Sequence, residues 1–204
     1  MRFKKVAFYT LGCKVNQYET ESLKKQFVDN RFETAEFEEY ADIYVVNSCT
    51  VTSIADKKTR NMLRRAKKLN EDSVVIATGC YAQTNGEELS KIEEIDYVVG
   101  NTDKNAIFNL ITKIEREETL PKLIVKNIFD EKIYEEIEFS TLREMSRAYI
   151  KIQDGCNNFC SYCKIPFARG GNRSRKLNSI LEEVETLAKD GFKTVVIIGP
   201  GIKI

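Results

Sequence analysis

The sequence predicts an α/β protein whose N-terminal part is an open parallel sheet with helices on both faces. Short apolar runs recur along the chain, and segments with the apolar spacing of amphipathic helices follow them. The runs are almost continuously apolar, as in strands that are buried on both faces. Parallel strands also need long crossover connections, which the intervening helices would supply. At 204 residues, 42% of them hydrophobic, the chain can bury one good core or two small ones, so we expect two domains, one of them incomplete.

The alternation is clearest in the first part of the chain. The apolar runs KKVAFY, IYVV, VVIA and YVV are predicted strands, and helical periodicity follows each of the first three. In chain order we expect a strand at 4–9, a helix at 17–30, a strand at 43–46, a helix at 54–69, a strand at 74–77, a helix at 86–94 and a strand at 97–99.

The composition changes at residues 115–147, which are acidic and of mixed charge and show little periodicity. We interpret this stretch as the connection between an N-terminal domain at 1–114 and a second domain at 148–204. Its apolar residues indicate that it packs against the first domain and is not a free linker. These residues are Leu123, Ile124, Val125, Ile128 and Phe129.

The second domain begins with a predicted strand at 148–153. An amphipathic helix at 177–190, ended by Gly191, and a buried strand at 194–198 follow. These elements form a single βαβ unit, which is the start of a larger domain. We therefore expect the chain to be truncated, either as a gene product or as a fragment.

Three cysteines of the first domain, Cys13, Cys49 and Cys80, each follow a predicted strand directly. Cys49 comes 36 residues after Cys13 and Cys80 comes 31 after Cys49, which is the spacing of no zinc or ferredoxin motif. The loops after neighbouring parallel strands converge on the crevice where ligands bind, so we expect the three thiols to meet there. The alternative is three separate core cysteines, since free cysteine is often buried.

Another three cysteines, Cys156, Cys160 and Cys163, form a C-x3-C-x2-C run on one predicted loop. Three thiolates on a loop can bind three irons of a 4Fe-4S cluster and leave the fourth iron open to a small molecule. A zinc site is the alternative, but zinc needs a fourth ligand and the chain has no histidine to provide it. The spacing therefore favours an iron–sulfur cluster.

Composition limits the other classes of function. The net charge is +1, with 32 basic and 31 acidic residues, so any nucleic-acid surface must be local. The absence of histidine argues against Ser-His and Cys-His hydrolytic mechanisms. There is no signal peptide and no apolar run of about 18 residues, which predicts a soluble cytoplasmic protein with reduced thiols and no membrane contact.

With both cysteine sets placed, the chain resembles the tRNA and ribosomal-protein methylthiotransferases, a family of radical S-adenosylmethionine (SAM) enzymes. The C-x3-C-x2-C run is similar to their SAM-cleaving signature. The motifs TLGCKVNQ at 10–17, NSCTVT at 47–52 and TGCYAQ at 78–83 resemble the subgroup that modifies threonylcarbamoyladenosine beside the anticodon. Lys14, Val15, Asn16 and Gln17 are the main discriminators of this subgroup.

The resemblance implies two 4Fe-4S clusters and SAM as cofactors. One cluster, on Cys156, Cys160 and Cys163, would cleave SAM, with Tyr162 lying against the SAM. The other, on Cys13, Cys49 and Cys80, would supply sulfur. The implied reaction is methylthiolation of C2 of N6-threonylcarbamoyladenosine at tRNA position 37. It also implies a flavodoxin or ferredoxin as electron donor, a tRNA anticodon loop as substrate, and a partial TIM-like barrel of which 148–204 is the first βαβ portion.

Basic residues of the predicted helix at 54–69 share one face and are candidates for tRNA phosphate contacts, together with an arginine-rich segment after the second cysteine set. They are Lys57, Arg60, Arg64 and Lys68, and then Arg169, Arg173 and Arg175. A solvated basic face is the alternative for the helix.

Parts of the chain depart from the family's pattern. Lys164 stands where an apolar residue is expected, the middle of 169–175 differs, and the tail from Gly199 does not continue in the family's way. A cluster-binding scaffold without catalysis is therefore the alternative to an enzyme. We expect the chain alone not to complete the reaction, and the sequence leaves its oligomeric state open.

Overall fold

A computed structural model describes residues 3–102, 104–136 and 147–202. The first part of the chain forms β1 (Lys5–Thr10), α1 (Lys14–Asp29), β2 (Glu33–Ala35), β3 (Ile43–Ser48), α2 (Ser53–Leu69), β4 (Val74–Gly79), α3 (Cys80–Thr84), α4 (Gly86–Ser90), β5 (Tyr97–Val99), α5 (Ala106–Glu115) and β6 (Leu123–Ile124). The six strands form one sheet in the order β2-β1-β3-β4-β5-β6. Every pair in it is parallel. The predicted α/β fold is confirmed.

Helices cover both faces of the sheet because the strand residues are apolar on both sides. On one face, Leu63 of α2 and Tyr81 of α3 pack in a core with Tyr44 and Val75. On the other, Phe27 of α1 and Ile111 of α5 pack in a second core with strand residues that include Ile43, Val45 and Ile76. Adjacent residues of β3 and β4 thus serve opposite cores.

Two predicted features of this domain changed. The helix expected at 86–94 is present but shorter, as α4 at Gly86–Ser90, and a second short helix, α3, precedes it. The two are separated at Asn85, whose φ of −130° is not helical. Helix α5 was not predicted, although its first turns hold the buried Ile107, Leu110 and Ile111. Within the predicted connection, β6 pairs with β5, so the first sheet extends into that segment, and Leu123, Ile124 and Val125 pack on its cores as expected. Phe129 differs from the prediction, because it packs on Phe159 and Phe167 of the second part.

The second part of the chain begins a separate small core. It forms β7 (Ala148–Lys151), β8 (Gln153–Asp154), α6 (Ile165–Arg169), β9 (Arg173–Ser174), α7 (Leu177–Lys189) and β10 (Val195–Ile198). Strands β7 and β10 are parallel neighbours, and Leu187 of α7 packs on Ala148 and Ile150. This is the predicted βαβ unit. Residues 137–146, which belong to the expected connection, lie outside the described residues.

Helix α1 holds the two parts together. Tyr18 of α1 donates a hydrogen bond of 3.2 Å to the Glu183 carboxylate of α7. Glu19, the next residue, forms ion pairs with Lys151 of β7 at 2.8 Å and with Arg169 of α6 at 2.8 Å. Across the described residues, no helix is both long enough and apolar enough to cross a membrane.

Candidate functional site

The structure brings Cys13, Cys49 and Cys80 to one edge of the sheet. They follow β1, β3 and β4, which are adjacent strands, and all three side chains line one cavity of about 490 Å³. A Cβ atom placed on Gly12 would lie 2.9 Å from the Cβ of Cys49, so the loops after β1 and β3 are in contact. The convergence comes from the parallel topology, which puts the carboxyl ends of neighbouring strands side by side.

Both parts of the chain line this cavity, which is mostly apolar. From the first part come the three cysteines, Lys14, Val15, Asn16 and Val51. From the second part come Ile165, Arg169, Ile197, Ile198, Gly199, Pro200 and Ile202. Among the residues that the structure describes, the lining therefore contains two cations and no carboxylate, and this asymmetry favours the binding of anionic groups and of thiolates.

Polar side chains contact two of the three thiols. The Cys13 thiol donates to Oδ1 of Asn16 at 3.2 Å, and Nδ2 of Asn101 lies 3.8 Å from Sγ of Cys80. Burial raises the pKa of the Cys49 thiol, and the nearby Cys80 and Cys13 raise it further. These contacts orient the thiols, as second-layer hydrogen bonds commonly orient metal ligands.

Arg169 lies beside this cavity and not at the surface. Its guanidinium is 3% exposed and forms ion pairs with Glu19 at 2.8 Å and with Asp154 at 3.1 Å. It also donates to Oδ1 of Asn16 at 3.2 Å. Burial lowers the pKa of Arg169, but the Cys80, Glu19 and Asp154 charges outweigh burial and hold it well above the ordinary value.

Two buried lysines complete this ion network. Lys104 pairs with Glu19, and Lys151 pairs with Glu19 at 2.8 Å and with Asp154 at 2.6 Å. Three buried cations thus face two buried carboxylates, and the surplus positive charge lies next to the cysteines. Despite burial, these cations hold the pKa of Asp154 at about 2 and that of Glu19 well below its ordinary value. A buried pair of this kind is costly to break.

The second cysteine set lies on the loop between β8 and α6. Cys160 is exposed, whereas Cys156 and Cys163 are partly buried. The Cys156 N–H donates to the Gly170 carbonyl at 3.0 Å, and the Cys163 N–H donates to the Cys160 carbonyl at 2.9 Å. Phe159 has a positive φ of 45°, which turns the chain between the first two cysteines.

A glycine with positive φ directly precedes three of the six cysteines. They are Gly12, Gly79 and Gly155, with φ values of 123°, 94° and 70°. A Cβ on Gly79 would lie 2.4 Å from the Ser48 carbonyl, and one on Gly155 would lie 1.9 Å from the Gly171 carbonyl. Only glycine fits these turns, so the Gly-Cys dipeptide is the local signal that both cysteine sets share.

An aromatic cluster next to the second set was not found from the sequence. The rings of Phe129, Phe159 and Phe167 lie with centroids 5.9 to 6.2 Å apart, and all three are exposed. Tyr162 is 88% exposed. Its predicted position against SAM stays a prediction.

The donor chemistry fits iron–sulfur clusters. All six cysteines are free thiols. In the described ranges, no three cysteine or carboxylate side chains are grouped closely enough to hold a single metal ion. In a 4Fe-4S cluster each thiolate binds a different iron, so its ligands are spread more widely than those of one zinc ion. Ligation by these six cysteines stays a prediction.

The predicted tRNA-contacting residues divide into two groups. Lys57, Arg64 and Lys68 are exposed on α2, and the half-buried Arg60 contacts Tyr81 and lies 3.6 Å from Glu88. The prediction for the arginine-rich segment needs correction. Arg169 is buried in the ion network, and Arg175 is buried against Glu183 and pairs with Glu136 at 2.8 Å.

Burial therefore makes Arg169 and Arg175 unavailable to RNA phosphates. Arg173 is also poorly placed, since its side chain is 9% exposed, donates to the Arg169 carbonyl at 2.9 Å and lies 3.9 Å from Asp154. From the sequence, nothing separates an arginine that binds phosphate from one that pairs with a carboxylate 150 residues away.

Comparison with known proteins matches both parts of the chain. Residues 5–100 match the family described as Uncharacterized protein family UPF0004, and residues 150–201 match the Radical SAM superfamily. The threonylcarbamoyladenosine tRNA methylthiotransferases MtaB of Aquifex aeolicus and Bacillus subtilis are each 45% identical over 96% and 95% of this chain. The ribosomal protein uS12 methylthiotransferase RimO of Desulfitobacterium hafniense is 34% identical over 96% of it.

The chain spans about half the length of these relatives, covering 47%, 43% and 44% of them. A solved structure of the radical S-adenosylmethionine methyltransferase TsrM from Kitasatospora setae has a TM-score of 0.63 at 16% identity and is matched over 97% of this chain and 48% of its own. At that identity the likeness shows the fold alone. The two matched regions and the relatives together show that the chain belongs to the radical SAM methylthiotransferase family, whose named members are transferases.

Proposed function

We propose that this chain is the N-terminal portion of a tRNA methylthiotransferase that modifies C2 of N6-threonylcarbamoyladenosine at position 37. The observation that carries the proposal is the shared cavity. Ile165 and Arg169 come two and six residues after Cys163, the last cysteine of the second set, and they line the same cavity as Cys13, Cys49 and Cys80. This proximity supports the proposal that the two sets of thiols act on one substrate.

We propose that Cys156, Cys160 and Cys163 hold one 4Fe-4S cluster and that Cys13, Cys49 and Cys80 hold a second. When bound, the clusters supply reductive cleavage of SAM at the first and a source of sulfur at the second. The exposed loop leaves Cys160 and Tyr162 accessible to SAM and to an electron donor such as a flavodoxin or ferredoxin. Ile165, Ile197 and Ile198 give the space between the sites an apolar wall.

Arg169 and Asn16 are proposed to fix the relative position of the two sites. Asn16 accepts from Cys13, Arg169 donates to Asn16, and Arg169 also pairs with Asp154, which lies two residues before Cys156. One continuous chain of side-chain contacts thus joins a ligand candidate of the first set to the loop that carries the second.

Anaerobic reconstitution with iron and sulfide tests the proposal. Two clusters predict about eight irons and about eight sulfides per chain. A Cys13/Cys49/Cys80→Ala variant and a Cys156/Cys160/Cys163→Ala variant should each retain about four irons. Stoichiometric zinc without sulfide would contradict the proposal, and so would loss of both clusters in either variant.

Production of deoxyadenosine from SAM separates an enzyme from a cluster-binding scaffold. The test compares the reconstituted chain, with and without tRNA, with a version extended to the full length of the relatives. We propose that the extended version cleaves SAM and that the 204-residue chain does so far more slowly. The remaining strands of a barrel domain would supply further SAM contacts. No cleavage by the extended version would favour the scaffold.

We also propose that the exposed face of α2 contacts tRNA phosphates. An Arg64→Glu/Lys68→Glu variant should bind tRNA more weakly and lower the slope of log affinity against log salt by about 2, because each lost phosphate contact removes about one released counterion. A Lys113→Glu/Arg116→Glu variant, changed at the end of α5, is the matched control. If the two variants change tRNA affinity and its salt dependence equally, the basic face of α2 is an ordinary solvated surface and the proposal is wrong.

A further inference from the structure

The shared cavity carries a net positive charge that has no role in the proposed cluster chemistry. Its described lining includes Lys14 and Arg169 and no acidic residue. Arg169 is already engaged by Glu19 and Asp154, at 2.8 and 3.1 Å. Lys14 is therefore the cation that this cavity offers to a ligand.

Lys14 is held in place without being neutralised. Its Nζ donates to Oε1 of Gln17 at 2.9 Å and lies 4.9 Å from the centre of the Tyr149 ring. An amide oxygen and an aromatic face orient an ammonium group but carry no net charge. In the described part of the chain, no carboxylate forms an ion pair with Lys14. The ammonium group is thus available to bind an anionic ligand where the two parts of the chain meet, next to Cys13.

The substrate named in the proposed function carries a matching group. The threonyl moiety of N6-threonylcarbamoyladenosine ends in an α-carboxylate, whose ordinary pKa is about 3.5, so it is ionised at neutral pH. A hydrogen bond between an ammonium and a carboxylate is stronger than one between neutral groups, above all in a partly apolar cavity. An isopentenyl group on the same nitrogen would offer Lys14 no partner.

We propose that Lys14 binds the carboxylate of the threonylcarbamoyl group, with Gln17 and Tyr149 holding its side chain in position. This inference rests on the proposed function and names the substrate contact that sets specificity for the modified nucleoside. It also offers a physical reason for the prediction that the stretch from Lys14 to Gln17 discriminates the subgroup. Two of its side chains touch each other at the cavity, and Asn16 touches the Cys13 thiol.

The test measures binding of the reconstituted chain to synthetic anticodon stem-loops of one sequence. The first carries threonylcarbamoyladenosine at position 37, the second carries unmodified adenosine, and the third carries the methyl ester of the threonylcarbamoyl group. The wild-type chain should prefer the first over the other two by about tenfold, which corresponds to about 1.4 kcal/mol. The ester keeps the size of the group and removes only its charge.

Variants assign the preference to Lys14. Lys14→Met should bind all three stem-loops equally, and Lys14→Arg should keep the preference. Lys113→Met, which removes an exposed lysine of α5, is the matched control and should behave as the wild type. Lys14 is exposed, so the Lys14→Met variant is expected to fold. If it does not fold, the comparison of the acid and ester stem-loops on the wild-type chain still tests whether the carboxylate charge is recognised.

The outcomes separate this inference from the proposed function. If wild-type chain binds all three stem-loops equally well, Lys14 does not read the carboxylate, while tRNA recognition stands. A preference that survives in Lys14→Met also overturns the inference. If none of the stem-loops binds, both the inference and the proposed RNA substrate fail.

Discussion

The two cysteine sets of this protein are built in different ways. Cys13, Cys49 and Cys80 come together only because β1, β3 and β4 are neighbours in the sheet, and Cys49 and Cys80 are 8% and 9% exposed. Cys156, Cys160 and Cys163 lie within one loop, with Cys160 at the surface. The first set is a product of the tertiary fold, and the second is largely a product of local sequence.

This difference predicts which substitutions should disturb each cysteine set. A change that loosens the sheet or the contact between the two parts should affect the first set and spare the spacing of the second. Arg169 belongs to the second part by sequence and to the surroundings of the first set by position. Substitutions in these two environments therefore test the comparison directly.

The largest effect is expected for Arg169→Met. The substitution removes the hydrogen bonds that Arg169 donates to Glu19 and Asp154 but leaves Lys104 and Lys151 paired with these carboxylates. The loss in the free energy of unfolding should therefore lie near the lower end of the about 3–5 kcal/mol that breaking a buried pair costs. Denaturant titration measures the loss. Arg65→Met is the matched control, because Arg65 pairs with Glu38 at the surface with 55% of its side chain exposed, and such pairs contribute about 0–1 kcal/mol.

Arg169→Lys should recover part of the loss, since it keeps the charge and gives up the paired hydrogen bonds. If Arg169→Met costs no more than Arg65→Met, the ion network does not hold the two parts together. The claim that the surroundings of the first set depend on contacts between the two parts would then be wrong.

The sequence predicted the features that depend on short range. The periods of the apolar runs gave the alternation of strands and helices, and the Gly-Cys turns and the C-x3-C-x2-C loop are local patterns. It could not predict the long-range pairs. Glu19 and Arg169 are separated by 150 residues, so nothing local distinguishes this arginine from one that binds phosphate. Helix α5 was not predicted, although its apolar residues recur at helical spacing.

The next largest effect is expected for glycine-to-alanine substitutions, which separate the cost of a positive φ from the cost of a steric collision. Gly79 and Gly191 have almost the same φ, 94° and 90°, but a Cβ on Gly79 would lie 2.4 Å from the Ser48 carbonyl, whereas a Cβ on Gly191 meets nothing within 4 Å. Gly191→Ala should cost about 1 kcal/mol for the positive φ alone. Gly79→Ala adds overpacking of about 1–3 kcal/mol.

Thermal or denaturant unfolding compares the two variants, and reconstituted iron reports on the sites. Gly79→Ala should lower the iron bound by the first set, and Gly155→Ala should lower that of the second, since its Cβ would lie 1.9 Å from the Gly171 carbonyl. Equal stability of Gly79→Ala and Gly191→Ala would mean that the turn before Cys80 can relax, against the view that the sheet fixes the first set.

The smallest effect concerns the reactivity of the thiols in metal-free chain under anaerobic conditions. Alkylation requires an accessible thiolate. Cys160 is exposed, whereas Cys49 is buried and its pKa is raised by burial and by the neighbouring Cys80 and Cys13. Cys160 should therefore react about tenfold faster than Cys49 near neutral pH, as counted by mass spectrometry of the labelled peptides.

The labelling rate of Cys49 should also depend on pH in a defined direction. A raised pKa means that less of Cys49 is thiolate at any pH below it, so its labelling rate should keep increasing as the pH rises past the ordinary thiol range. Cys13 is exposed although it belongs to the first set, and it should react early. In denaturant all six thiols should react alike. If folded chain labels Cys49 as fast as Cys160, the sheet does not enclose the first set, and its thiols converge no more firmly than those of the loop.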